Sequence, residues 1–170
     1  MFIATKRIKK IHIIAAAAAV LLIFTAFRFF VCTDGTMTTA VSSIGQYQLA
    51  AGTNEERIDF LAQFGWEVED EPVALETVNI PQSFNRVYNR YNEIQLEQGL
   101  DLHDYAGKEC KRVSYRVTNY PETDCIVNAN LLIYDGRVVG GDIASTELDG
   151  FMHGFVLEGM VEEVKGGETR

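Results

Sequence analysis

Two stretches near the C-terminal end restrict the fold more than any other part of the chain: "ECKRVSYRVTNY" and "CIVNANLLIY". Each alternates apolar and polar residues, the period-2 pattern of a strand with one buried face. Val113, Tyr115 and Val117 share a face in the first, and Val127, Ala129, Leu131 and Ile133 share one in the second. The turn "PETD" joins them. Pairing Asn119 with Cys125 brings all these odd-numbered residues to one side, so alternation and register agree. "YDGR" then reads as a two-residue Asp-Gly hairpin into "RVVGGDIAS". A meander with one apolar face needs a cover, and two helical segments precede it.

The first helix starts at "TNEE", a capping box with Thr53 as N-cap and Glu56 three residues on. Ile58, Leu61, Ala62 and Phe64 lie along one side, and Gly65 supplies the stop. "WEVE" and "VALETVNI" read as extended, with a slip of apolar phase near Thr77 that predicts a bulge there. Pro81 opens a second helix, in which Phe84, Val87, Tyr88, Tyr91 and Ile94 form one face and Gly99 ends the run. Tyr88 and Tyr91 have the look of a ligand-stacking pair, but at core spacing they read as packing residues with hydroxyls at the rim. The expected fold is therefore α+β: two helices packed on one face of an antiparallel β-meander, preceded by an N-terminal transmembrane helix.

That leading helix rests on "KRIKK" followed by seventeen residues, Ile11 to Phe27, without a full charge. A span needs about 20 apolar residues. Ile11 to Cys32 reaches that length once Arg28 snorkels to the interface. The basic cluster keeps the N-terminus in the cytoplasm, so the rest of the chain faces outward from a single-pass cell-membrane anchor. A cleaved signal is the alternative, but Phe29, Phe30, Val31 and Cys32 offer no small-residue cleavage site. The chain then divides into a basic cytoplasmic terminus (1–10), an anchor in the lipid bilayer (11–32) and a flexible linker rich in Thr, Ser and Gly (33–52). An extracytoplasmic α+β domain (53–157) and a charged, disordered tail (158–170) complete it.

Charge and cysteines exclude whole classes of function. The first 31 residues hold five basic and no acidic side chains, leaving ten basic against 24 acidic ones, a balance of -14. Such a surface repels phosphate backbones, so nucleic acid is not an expected partner. Cys110 and Cys125 alternate to opposite faces, beyond the Cα separation of about 7 Å that a disulfide tolerates, so no disulfide is expected. Neither a Cys-x-x-Cys pair nor a Cys-His spacing of a zinc site occurs, and nothing points to a metal or another cofactor.

The candidate site is "GGDIASTELDGFMHGF", Gly140 to Phe155. Gly140 and Gly141 remove side chains from a strand, so another group must approach there. The expected visitor is "LDGFMHGF" folding back, with Phe151, Met152 and Phe155 as plugs. The hairpin register puts Asp142 opposite Ala129 on the inward face, where a carboxylate is costly unless hydrogen-bonded. Backbone N–H groups or a tyrosine hydroxyl would serve it structurally; an acid or a ligand anchor is its functional reading. Asp149 precedes Gly150 as a turn residue, and with His153 at i, i+4 it could meet the imidazole on a helical turn. The candidate catalytic residues are thus His153, Asp149 and Asp142, and the candidate binding set is Gly140, Gly141, Asp142, Asp149 and His153. Ser145 is nearby but lacks the strand–elbow–helix context of a hydrolase nucleophile. His12 sits in the anchor and His103 beside Asp104 in a loop.

"EERIDFLAQFGWEVEDEPV", "IPQSFNRVYNRYNEIQLEQGLDLHDYAGK", "YRVTNYP", "ANLLIYDGRVVGGDIAS" and "LDGFMHGF" together resemble the family known as domain of unknown function 4830, of Gram-positive and mostly clostridial bacteria. The likeness covers residues 54–156 and leaves the anchor and linker outside. It implies that the glycine-rich ending is shared by such domains and brings no catalytic residues with it. The function expected is a non-enzymatic binding or interaction module for an envelope component or partner protein. The alternatives are a small cell-envelope hydrolase using His153 with Asp149 or Asp142, and a structural subunit of a membrane complex.

Overall fold

The computed structural model describes residues 39–42, 45–121 and 124–157. The expectations for the basic terminus, the anchor 11–32 and the tail 158–170 lie outside these residues. Among the described residues no helix is long and apolar enough to cross a membrane.

The elements run β1 (Thr39–Ser42), β2 (Gly45–Gln48), α1 (Asn54–Ala62), β3 (Ala74–Asn79), α2 (Arg86–Glu97), a 3-10 turn (Leu102–Tyr105), β4 (Glu109–Arg116), β5 (Val127–Tyr134), β6 (Arg137–Ser145) and β7 (Met152–His153). β1 and β2 form a hairpin, and β3 to β7 form an antiparallel sheet in chain order. The meander is as the alternation expects: Lys111 pairs with Ile133 and Tyr115 with Ala129, the same register that pairing Asn119 with Cys125 implies. Asp135 (φ 49°) and Gly136 (φ 73°) make the two-residue turn between Tyr134 and Arg137, a left-handed backbone that Asp-Gly accommodates.

α1 begins as the sequence predicts. The Thr53 hydroxyl accepts from Glu56 N and the Glu56 carboxylate accepts from Thr53 N, at 3.2 and 3.0 Å. Its buried residues are Phe60 and Leu61, whereas Ala62 is exposed. α2 is capped by Asn85, whose side chain accepts from Tyr88 N at 2.9 Å, and not opened at Pro81. Val87 is 77% exposed; α2 and the residue after it instead bury Asn92, Gln95 and Gln98.

The helices lie on opposite faces of the sheet, which corrects the expectation of one covered face. Phe60, Leu61, Phe64 and Trp66 pack with the odd-numbered face, on Val113, Tyr115, Leu131 and Ile143. Phe84, Tyr88 and Tyr91 pack with Ile80, Leu102, Cys110, Leu132 and Val139 on the other. The alternation concealed this because along the even-numbered face Cys110 stands between Lys108 and Arg112, and Leu132 between Asn130 and Tyr134. Together with Val139 they make a second, smaller apolar stripe that must be covered too.

Val139 reaches that stripe through a bulge. Ile133 pairs with Val138 but Leu132 pairs with Gly140, so Val139 is the extra residue in β6. β3, by contrast, keeps unbroken register from Ala74–Ser114 to Asn79–Glu109, and the bulge expected near Thr77 is absent.

Within the segment expected as a linker, 33–52, the described residues 39–42 and 45–52 are folded. Tyr47, Leu49 and Ala51 alternate inward and are 3%, 6% and 0% exposed, and the Tyr47 rings stack edge-on against Phe60 and Phe64. Polar neighbours masked this short alternation. Ala51 N donates to Gly136 O and Val138 N to Leu49 O, so the segment pairs with the start of β6.

Candidate functional site

The bulge decides which face Asp142 occupies. Without it, Asp142 would pair with Ala129 on the α1 face; with it, Asp142 pairs with Asn130 and Ile143 takes the place opposite Ala129. The inward position expected for Asp142 is therefore corrected: its carboxylate lies under α2, on the even-numbered face.

There it is 4% exposed and held by two donors. Asn130 Nδ2 donates to Oδ1 and Tyr91 OH donates to Oδ2, both at 2.8 Å. Ser114 Oγ donates onward to Asn130 Oδ1 at 2.7 Å, which fixes the amide so that its nitrogen faces Asp142. Burial pushes the Asp142 carboxyl above the ordinary aspartate value, while the Asn130 and Tyr91 bonds and the charge of Arg112 pull it partly back. Burial, then the Asp142 charge, drives the Tyr91 hydroxyl well above its usual value, so Tyr91 is the donor of the pair. Among the described residues no ion pair is made to Asp142; Arg112 is taken by Glu76 at 2.7 Å.

These groups floor a groove of about 1150 Å³ between α2 and the sheet. Val87, Ile94, Leu132 and Met152 give it apolar walls, and Met152 is half exposed at its edge. Arg86 and Arg90 line it toward the start of α2, Glu93 and Glu97 toward the end.

The glycine-rich ending does other work. Gln95 Oε1 accepts from Gly141 N at 2.7 Å and Gln98 Nε2 donates to Gly141 O at 3.2 Å. Two side chains from the α2 region thus satisfy the outer edge of β6 at Gly141. Gly140 and Gly141 make room for this approach. A Cβ at Gly141 would fall 2.3 Å from Asn130 O and 2.4 Å from Phe155 Cζ; at Gly140 the nearest atom would be Leu102 Cδ2 at 2.9 Å. Phe155 is the plug, fully buried, while Phe151 is half-buried and Met152 points to the groove on the other face.

Asp149 and His153 are not brought together. Asp149 is exposed in the turn after β6, and no helical turn forms: His153 is in β7, paired with Ile143. Its imidazole lies among Trp66, Tyr120 and Phe151, with Nε2 3.1 Å from Tyr120 OH and Nδ1 2.6 Å from Gly154 O. Ser145 Oγ accepts from Glu147 N at 3.1 Å within its own turn. Among the described residues no group of three His, Cys, Asp or Glu is placed to hold a metal ion. Of the sequence-predicted set, then, Gly140, Gly141 and Asp142 adjoin in β6, with only Asp142 lining the groove; Asp149 and His153 lie elsewhere.

Sequence reasoning missed Asn130, Ser114 and the glutamines. Their signal was present: Asn130 interrupts an apolar strand, and Asn92, Gln95 and Gln98 follow at three-residue steps where a core helix would carry apolar residues.

No curated protein and no solved structure matches the chain. Residues 60–143 match the family model described as "Domain of unknown function (DUF4830)", a stretch that runs from α1 into β6 and includes Tyr91, Ser114, Asn130 and Asp142. It is this segment, residues 60–143, that carries the family's domain.

Proposed function

We propose that this chain is a membrane-anchored binding protein, held by residues 11–32 and displaying its α+β domain on the outer side of the cell membrane, with the groove under α2 as its ligand site. One observation carries the reading: a carboxylate 4% exposed, without an ion pair among the described residues, forms part of the floor of a groove whose walls include Val87, Ile94, Leu132 and Met152. Buried polar groups of this kind lower stability and are kept where a ligand uses them. The anchor reading rests on the basic cluster and the uncharged run after it. The hydrolase alternative finds no hydrogen-bonded pair among the described residues: Asp149 lies in a separate turn, and Asp142 is held by Asn130 and Tyr91 while His153 meets Tyr120 and Gly154.

The test is a methyl spectrum of the full chain in detergent, recorded against a fragment set of amines, acids and neutral apolar compounds. Binding in the groove shifts the methyls of Ile94, Leu132 and Met152 and spares Leu61 across the sheet. Shifts confined to the surroundings of His153, or none from any class, would overturn the reading. The orientation is tested separately, by adding protease to intact protoplasts: the folded domain is digested if it lies outside and protected if it lies inside.

A further inference from the structure

The chemistry of the groove floor points to its occupant. Asp142 accepts one hydrogen bond on each oxygen, and a carboxylate has about four acceptor sites, so half of its capacity is unused.

The rim has the matching polarity. α2 carries Arg86 and Arg90 one turn apart near its start and Glu93 and Glu97 one turn apart near its end. Asp142 meets α2 at Tyr91, between the Arg86 and Arg90 pair and the Glu93 and Glu97 pair. The last turn of α2 holds no basic residue, and its carbonyl end adds further negative potential. Of the basic groups near Asp142, Arg112 also binds Glu76, His153 is engaged by Tyr120 and Gly154, and Arg86 and Arg90 line the groove on the N-terminal side of Tyr91.

We infer that the groove takes an alkylammonium group on an apolar stem, with the ammonium entering past Glu93 and Glu97 to pair with Asp142 and the stem lying along Ile94, Leu132 and Met152. An ammonium supplies three donors and one positive charge, which suit the unused acceptor sites of Asp142 and its lack of an ion pair among the described residues. Two sources carry this chemistry: a lysine side chain in a peptide and a free diamine. The inference rests on the groove being the ligand site, and adds the class of ligand.

The experiment is titration calorimetry of the full chain in mild detergent at neutral pH with three probes: N-acetyl-lysine N-methylamide, 1,5-diaminopentane and N-acetyl-norleucine N-methylamide. A hydrogen-bonded ammonium–carboxylate contact is worth about tenfold or more in affinity. The norleucine compound, which has the stem without the charge, should bind at least that much more weakly than the better of the two amines. Preference for the lysine derivative assigns a peptide as the source, and preference for the diamine assigns a free amine. Asp142→Asn should remove the difference between charged and uncharged probes. Glu97→Lys, an exposed change at the rim that leaves the core untouched, should weaken both amines and keeps the test valid should Asp142→Asn fold poorly. Equal binding of the norleucine compound would overturn the inference while leaving the groove as a ligand site. Tighter binding of acids than amines in the fragment set would do the same. Absence of any groove shift in that set would overturn both.

Discussion

Gln98 ties the chain end to the sheet through Phe155: its Oε1 accepts from Phe155 N at 2.5 Å, and its Nε2 donates to Gln95 Oε1 at 3.0 Å and to Gly141 O at 3.2 Å. One fully buried amide thus connects α2, the bulged strand β6 and the glycine-rich ending. Replacing it with the similarly sized Gln98→Leu leaves Phe155 N and Gly141 O without partners inside the protein. Each orphaned buried group costs roughly 1–3 kcal/mol. Chemical unfolding should show a loss in that range or above it, with an unchanged dependence on denaturant.

The two glycines of β6 should differ. Gly141→Ala drives a methyl into backbone, Asn130 O, as well as into the Phe155 ring, and neither can yield cheaply. Gly140→Ala meets only side-chain atoms, Leu102 Cδ2 at 2.9 Å and Gln95 Oε1 at 3.1 Å, and the nearer of these, the far end of Leu102, can shift. Overpacking costs about 1–3 kcal/mol, occasionally more. Thermal melts should place Gly141→Ala at or above the top of that range and Gly140→Ala near its bottom.

Asp149 and His153 are expected to part company in the same assay. Asp149 is an exposed turn residue, so Asp149→Asn should change stability by no more than about 0.5 kcal/mol. His153→Ala removes the hydrogen bond to Tyr120 and a ring packed beside Trp66 and Phe151. A loss of about 1 kcal/mol or more is expected. Equal and negligible effects at both positions would reopen the pairing suggested by their spacing.

Stability should carry the signature of Asp142 in its dependence on pH. Burial raises the folded-state pKa above the unfolded value. Between those two values the folded protein binds the extra proton, so this group's contribution favours folding at the acid end. It is lost as pH rises through the folded pKa. The difference in unfolding free energy between wild type and Asp142→Asn should therefore move in favour of Asp142→Asn across that window as pH increases. A flat difference would mean that the carboxyl does not titrate differently in the two states.

Much of the sheet was legible because strand alternation and the Asp-Gly turn act locally. The register of β4 with β5 follows from Val113, Tyr115, Ala129 and Leu131 alone. The capping box at Thr53 is likewise a local pattern. What escaped was set by one residue of offset: the bulge at Val139 moves Asp142 to the other face, and no local signal marked it except the glycines beside it. The polar stripe Asn92, Gln95 and Gln98 also resisted reading, since buried amides gain their meaning only from the β6 edge they meet in space. Tyr91 was rightly placed on the packing face, but its hydroxyl turns inward to Asp142 and not to the rim.

The central claim is that Asp142 is kept for a ligand while Gln98 and the glycines are kept for the fold. Asp142→Asn tests it most directly at neutral pH, because an asparagine amide can retain both local bonds, accepting from Asn130 and donating to Tyr91, while removing the buried charge. Measured beside Gln98→Leu by denaturant unfolding, Asp142→Asn should be as stable as wild type or more so. A loss equal to that of Gln98→Leu would make Asp142 part of the folding machinery and remove the main support for the groove as a site.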